Sequence, residues 1–279
     1  PHRIYTVTGL RFETEKGLKR KILILMEQIA CWTATKVIPE GIGVKNTLIK
    51  NRITNKPLKI IKNGNINGID INFFSPESVS CKEKTALEKQ LTIASEHVVF
   101  CFIGRIVKDK GINELVTAFE QINRLHPQTK LLLVGWFEKE LDPVSPETEQ
   151  KINHHPDILF VGKQTDVRPY LAVSDIFVFP SYREGFPNVV MQAGAMELPC
   201  IVTDINGCNE IIENGVNGLI IPPKNVEKLQ EKMELLLNNK DLRIQLKQKA
   251  REMITSRYEQ RTVWEALLAE YRSLDKQYV

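Results

Sequence analysis

Three polar stretches carry residue types that could do chemistry, and each follows an apolar run. In the first, Arg105 and Lys110 flank the turn Gly104-Arg105-Ile106-Val107-Lys108-Asp109-Lys110-Gly111. Arg105 offers a planar fork that grips phosphate oxygens in two places, and Lys110 a point charge. A helix predicted to open at Ile112 adds the positive end of its dipole, worth roughly 0.3–2 kcal/mol to a phosphate there. A diphosphate leaving group needs such a set, because charge develops on it as its bond to a sugar breaks. Read alone, the turn is equally a solvated basic loop. It is not a Walker loop, which needs a Gly-Lys-Ser/Thr ending. The chain also has no GxGxxG, which counts against a nicotinamide dehydrogenase.

The second stretch, Arg183-Glu184-Gly185-Phe186-Pro187-Asn188, holds a lone carboxylate. Gln192 follows Glu184 at a distance that, in a continuous helix, would be about 12 Å along the axis. The carboxyl pairs of glycoside hydrolases stand about 5–9.5 Å apart, and Gln192 is neither acid nor base. Hydrolysis by this pair is therefore disfavoured. Gln192 can still donate and accept hydrogen bonds, as ribose hydroxyls require. The third stretch runs Thr203-Asp204-Ile205-Asn206-Gly207-Cys208-Asn209-Glu210. Helix capping by Asn206 or Asn209 competes there with ligand contact.

These stretches need a frame. Ile176–Phe179 is a short apolar run ended by Pro180, and Val189–Glu197 a predicted helix opened by Pro187-Asn188 and closed by Pro199. Glu184 thus sits between the C-terminal end of a strand and the start of a helix, the edge at which open α/β sheets bind ligands. From His97 onward strands and helices alternate. Strands are expected at 98–103, 130–134, 158–161, 176–179, 200–202 and 218–221, with helices between them. Three more helices are expected at 226–237, 241–256 and 260–274. Alternation at this pitch implies a doubly wound parallel sheet. Val98–Ile103 and Leu131–Val134 are continuous apolar runs, as strands covered on both faces should be.

Residues 1–76 read as the last third of another α/β unit whose first strands are absent. Strands are expected at 3–7, 36–38 and 58–61, and helices at 18–35 and 41–51. The longer helix begins with Lys16, Lys19, Arg20 and Lys21. This run reads as a solvated helix end or as a basic face touching anionic lipid. Residues 77–96 are Lys/Glu-rich and read as a linker, helical over 84–90.

The 279 residues are 42% hydrophobic and 26% charged, enough for one large or two smaller cores. A net charge of +4 is too mild to argue for nucleic acid. The five cysteines have no metal-ligand spacing and read as reduced. No apolar stretch approaches the roughly 20 residues of a membrane span.

Taken together, GlyArg…LysGly, ProSer…GluGlyPhePro…GlnAlaGlyAlaMet…Pro and ThrAsp…Gly…AsnGluIleIle…GlyValAsnGlyLeu…ProPro resemble the donor half of GT-B glycosyltransferases of the family 4 type. The likeness covers residues 97–235 well. It extends weakly to 1–76, where ArgIleTyrThrValThrGlyLeuArgPhe and AsnGlyAsnIleAsnGlyIleAsp are similar to capsule and exopolysaccharide members.

The resemblance implies an α/β fold of two Rossmann-like domains facing a cleft. Here 1–76 would be the remnant of the acceptor-side domain, 77–96 a linker, 97–258 the donor domain and 259–279 a helix crossing back. It implies retaining transfer from a nucleotide sugar, a UDP-sugar being favoured, to a saccharide or lipid-linked acceptor, with no cofactor and no metal. Arg105 and Lys110 match the diphosphate pair, and Glu184 the first Glu of the Glu-x7-Glu motif, beside the reacting carbon. Turn amides at Gly185, Phe186 and Pro187–Asn188 would face sugar hydroxyls, although Pro187 has no N–H to give. Gly162 and Lys163 match the region that holds the base.

Two departures stand out. Gln192 replaces the second Glu, which holds the ribose, so a neutral acceptor stands where the family has a charged one. Glu197 replaces a common Gly. The expected setting is cytoplasmic, with a peripheral membrane contact through Lys16–Lys21 and no nucleic acid. Because the family's Gly-rich first loop is missing, this piece alone is expected to bind donor and turn over poorly. A GT-B epimerase, a non-catalytic nucleotide-sugar-binding subunit and an unrelated Rossmann binder remain as competitors.

Overall fold

The structure, a computed structural model, describes residues 2–275. Its larger unit is a parallel sheet of β3 (Val98–Ile103), β4 (Thr129–Val134), β5 (Ile158–Phe160), β6 (Ile176–Phe179), β7 (Cys200–Thr203) and β8 (Gly218–Ile221). The strand order is β5-β4-β3-β6-β7-β8. It reverses between β3 and β6, so the loops after those two strands face each other across the switch point. These loops carry Arg105 and Glu184. All pairings are parallel, as the continuous apolar runs require. β4 is buried throughout.

Helices cover both faces: α4 (Ile112–Leu125), α5 (Pro146–His154), α6 (Arg168–Ala172), α7 (Asn188–Ala195), α8 (Cys208–Ile211), α9 (Val226–Asn238) and α10 (Lys240–Tyr258). In α4 every core-facing position is filled, with Ile112, Leu115, Val116, Phe119 and Ile122 fully buried. The stretch read as a linker holds α3 (Cys81–Gln90), opened by Ser80 and Glu83 in a reciprocal capping box. Val79, Leu87, Leu91 and Ile93 pack it on the main core.

A smaller unit precedes the larger one in the chain, while Ile69 already packs in the larger core. β1 (Ile4–Val7) and β2 (Lys36–Pro39) pair in parallel, joined by α1 (Gly17–Thr33), and α2 (Ile42–Lys50) follows. Val7, Phe12, Cys31, Val37, Val44 and Leu48 make a separate core. The strand expected at 58–61 is reduced to one bridge, Leu58 to Val37. Lys59 points away to pair with Glu270, and Asn65 accepts the chain's turn at Asn67 and Gly68.

α11 (Gln260–Asp275) returns to this unit. Its Glu270, 5% exposed, takes ion pairs from both Lys36 and Lys59. Cys31, Cys101, Cys200 and Cys208 are buried, and no cysteine among the described residues is paired.

Glu197 now has a physical account. α7 ends in a Schellman turn, Leu198 N–H to the Ala193 carbonyl at 2.9 Å and Glu197 N–H to that of Gly194 at 3.0 Å. The turn places Glu197 at φ 64°, the left-handed region that favours glycine.

Candidate functional site

The loop after β3 and the loop after β6 meet because Gly111 lets them. Its φ of 70° starts α4, and a Cβ there would stand 2.1 Å from the Pro180 carbonyl oxygen. Backbone contact at this distance admits no side chain. The two loops are then stapled. Tyr182 N–H donates to the Asp109 carbonyl at 2.8 Å, and Arg183 pairs with the Asp109 carboxylate at 3.0 Å. The Tyr182 hydroxyl donates to Glu114 on α4 at 2.5 Å. One oxygen each of Asp109 and Glu114 is buried without a hydrogen-bond partner among the described residues. Burial, then the neighbouring carboxylates Glu114, Asp142 and Asp109, push the Tyr182 hydroxyl well above its usual range, so it stays a donor.

The staples bring the Lys110 ammonium into an ion pair with the Glu184 carboxylate. Ser181 donates to the same carboxylate at 2.9 Å. Both partners are mostly buried, at 15% and 16% side-chain exposure. Lys110 also stands 5.6 Å from the centre of the Phe179 ring. Arg105 pairs with Glu138 in the loop after β4.

Arg105, Lys110, Arg183, Glu184 and Gly185 line a cleft of about 360 Å³ whose far wall is Thr8–Arg11 and Glu13 of the smaller unit. Three cations and one carboxylate of the larger unit thus surround one space. The set can hold a polyanion at the cationic side and a polyol at Glu184.

The other expected residues are placed as follows. Gly185 is pressed against the smaller unit, where a Cβ would stand 1.6 Å from the Thr8 carbonyl oxygen. Phe186 is buried, packed edge-on against Tyr258 with ring centres 5.5 Å apart. Asn188 accepts from the Asn65 side-chain amide at 2.8 Å, which is itself fully buried. The side chain of Asn188 therefore joins the units. Gly162 takes φ 70° and its carbonyl accepts from Gly135 at 3.0 Å. Lys163 lies 5.0 Å over the ring of Trp136, a residue that the sequence pattern did not single out. Gln192 is half-buried on α7, and its side chain has no hydrogen-bond partner among the described residues.

In the Thr203–Glu210 turn neither Asn206 nor Asn209 caps the helix; Glu210 does, accepting from the Gly207 N–H at 3.4 Å, and the turn does not line this cleft. Asn206 donates to Glu13 at 3.2 Å. Glu210 accepts from the Ile42 and Gly43 N–H groups at 2.6 and 3.0 Å, so it caps the start of α2 in the other unit. The basic run is split as well. Lys19 pairs with Glu15 at 2.6 Å and Arg20 donates to Asn51 at 2.7 Å.

One residue on this edge is unmarked in the sequence. Glu40 follows β2, is 4% exposed, and its carboxyl has no hydrogen-bond partner among the described residues. Burial, then the charges of Glu184 and Glu210, push it up to about 8. It is held as a neutral acid at the seam.

Comparison with known proteins gives the geometry a context. Residues 83–253 match the family model described as glycosyl transferases group 1. The chain is 32% identical over 278 residues to the capsular polysaccharide biosynthesis glycosyltransferase CapM of Staphylococcus aureus, covering 99% of this chain and 72% of that protein. It is 28% identical over 250 residues to the UDP-Gal:alpha-D-GlcNAc-diphosphoundecaprenol alpha-1,3-galactosyltransferase of Escherichia coli, covering 88% of this chain and 63% of that protein. The fold matches Anabaena Alr3699/HepE, solved in complex with UDP-glucose, with a TM-score of 0.85 at 22% identity, over 97% of this chain and 72% of that one.

Proposed function

The chain belongs to the group 1 glycosyltransferases, and from that premise we propose that it moves a sugar from a nucleotide diphosphate, a UDP-sugar being favoured, to a saccharide or lipid-linked acceptor, with retention of configuration. The observation that carries this reading is the Lys110–Glu184 pair in one cleft with Arg105.

Arg105 and Lys110 hold the departing diphosphate. Each cation already rests against a carboxylate, Glu138 and Glu184, which keeps it oriented before the anion arrives. Glu184 then lies within reach of both the diphosphate side and the sugar hydroxyls. A sugar leaving from this position passes through an oxocarbenium-like state on the face where the phosphate still sits. The acceptor hydroxyl approaches from the wall formed by Thr8–Arg11, on that same face. Trp136 and Lys163 offer a flat face and a cation to the base, and Gln192 a neutral partner to the ribose.

No metal and no cofactor enter this scheme. The reading sets the reaction in the cytoplasm, at the inner face of the membrane that holds lipid-linked acceptors, with the Lys16–Lys21 end of α1 toward the lipid. It is supported by the family and by relatives named for capsular and diphosphoundecaprenol-linked glycans. Titration with UDP-, GDP- and ADP-sugars, following sugar transfer to a lipid-linked acceptor, tests it. Failure to bind any nucleotide sugar would sink it.

A further inference from the structure

Each cation that the larger unit places in the cleft is held by a carboxylate: Lys110 by Glu184, Arg183 by Asp109 and Arg105 by Glu138. Glu184 also accepts from Ser181, and Asp109 belongs to the staple between the two loops. Glu138 differs. Among the described residues its carboxylate has no partner but Arg105.

The backbone fixes this placement. The loop after β4 runs beside the loop after β3. Ile106 N–H donates to the Trp136 carbonyl at 2.8 Å, and a Cβ on Gly135 would stand 1.7 Å from the Gly104 carbonyl oxygen. Further on, Lys108 N–H donates to the Asp142 carbonyl at 3.1 Å and Asp109 N–H to the Asp142 carboxylate at 2.6 Å. Glu138 lies between these fastenings, two residues past Trp136, so its carboxylate is carried to Arg105 by the fold.

A carboxylate is an unfavourable neighbour for a phosphate. Arg105 engages Glu138 through Nη1, which leaves its other N–H groups for a phosphate. The carboxylate then stays beside that anion, and the repulsion grows with the anion's charge. That charge changes in the reaction. In a nucleotide sugar the diphosphate is capped at both ends. When the sugar's C1–O bond breaks, the electron pair stays on the diphosphate oxygen, and the acceptor oxygen bonds to C1. The acceptor's proton ends in water at neutral pH, because a terminal phosphate with a pKa of about 6 is mostly ionised. The departing diphosphate therefore carries more negative charge than the donor did, and Glu138 repels it more strongly.

We propose that Glu138 is a positioning residue that holds Arg105 and, by its charge, turns the cleft against the free nucleoside diphosphate relative to the capped donor, so that product leaves. The proposal rests on the reading of this cleft as the donor site. Calorimetric titration of the 279-residue chain with UDP and with UDP-glucose tests it. Glu138→Gln keeps an oxygen for Arg105 and removes only the charge. It should tighten UDP about tenfold and UDP-glucose only about threefold. In an Arg105→Ala background the same change should move neither affinity by more than about twofold, because Arg105 is what holds carboxylate and phosphate side by side. Glu140, exposed in the same loop, is the control for charge alone. Glu140→Gln should leave both affinities within about twofold.

The proposal is overturned, with the donor site left standing, if Glu138→Gln binds UDP no tighter than wild type, if both ligands tighten equally, or if the same tightening appears with Arg105→Ala or in Glu140→Gln. Absence of UDP binding in wild type and Glu138→Gln alike would overturn the donor reading itself, and the proposal with it.

Discussion

Lys110 and Glu184 come from loops on either side of the sheet's switch point and meet in one mostly buried ion pair. The pair joins the cation expected to hold phosphate to the carboxylate expected to face the sugar. Their roles should still separate. Lys110→Ala removes a charge from the diphosphate and should weaken UDP binding about tenfold or more. Glu184→Gln keeps the hydrogen bond from Ser181 and should leave UDP affinity within about twofold while lowering transfer roughly a hundredfold. Calorimetry and a transfer assay on both variants check this. Equal loss of binding and transfer in Glu184→Gln would make Glu184 structural.

The Tyr182–Glu114 staple should matter although it touches no substrate. Tyr182→Phe leaves Glu114 buried with neither oxygen paired, at a cost of about 1–3 kcal/mol. The melting temperature should fall. The loosened Glu184 turn should reduce kcat more than it weakens UDP binding. An unchanged melting curve would show that the staple is not held in solution.

Much of this arrangement was legible in the sequence. Buried parallel strands read as continuous apolar runs, so β3, β6 and β8 match the expected ranges and β4, β5 and β7 differ from them by one residue each. The ligand edge followed from those strands, and with it Arg105, Lys110 and Glu184. The partners did not. Lys110 and Glu184 lie 74 residues apart and Arg105 and Glu138 lie 33 apart, and no local pattern encodes such pairings. Glu210 does bond within its own turn, to the Gly207 N–H, but its shorter contacts, Ile42 and Gly43, belong to another unit and leave no local signal. Glu40 gave no signal at all, since only the closed seam makes its surroundings apolar and acidic.

Glu40 gives stability a pH dependence of known sign. Its carboxyl is raised in the folded protein, so the native state binds the proton more tightly than the unfolded chain. That contribution is full below the ordinary carboxylate range and is lost as pH rises to about 8, at roughly 1.4 kcal/mol per pH unit. Glu40→Gln cannot ionise. Its melting temperature relative to wild type should therefore rise steadily from pH 5 to about 8. A constant difference across that range would show that Glu40 does not titrate there.

Glu197 stands at φ 64° in the Schellman turn that closes α7. Glu197→Gly relieves the left-handed strain and gives up only an exposed ion pair with Lys247 at 3.6 Å. A net gain of about 0.5–1 kcal/mol is expected by denaturant unfolding. A loss would mean that the side chain contributes more than its backbone costs.

The most direct test of the central claim is a calorimetric titration of UDP into wild type, Arg105→Ala and Lys110→Ala. A cleft built for a nucleotide diphosphate predicts saturable binding by wild type that each substitution weakens about tenfold or more, and both together further. Wild type that binds no UDP, or binding that neither substitution weakens, would contradict it.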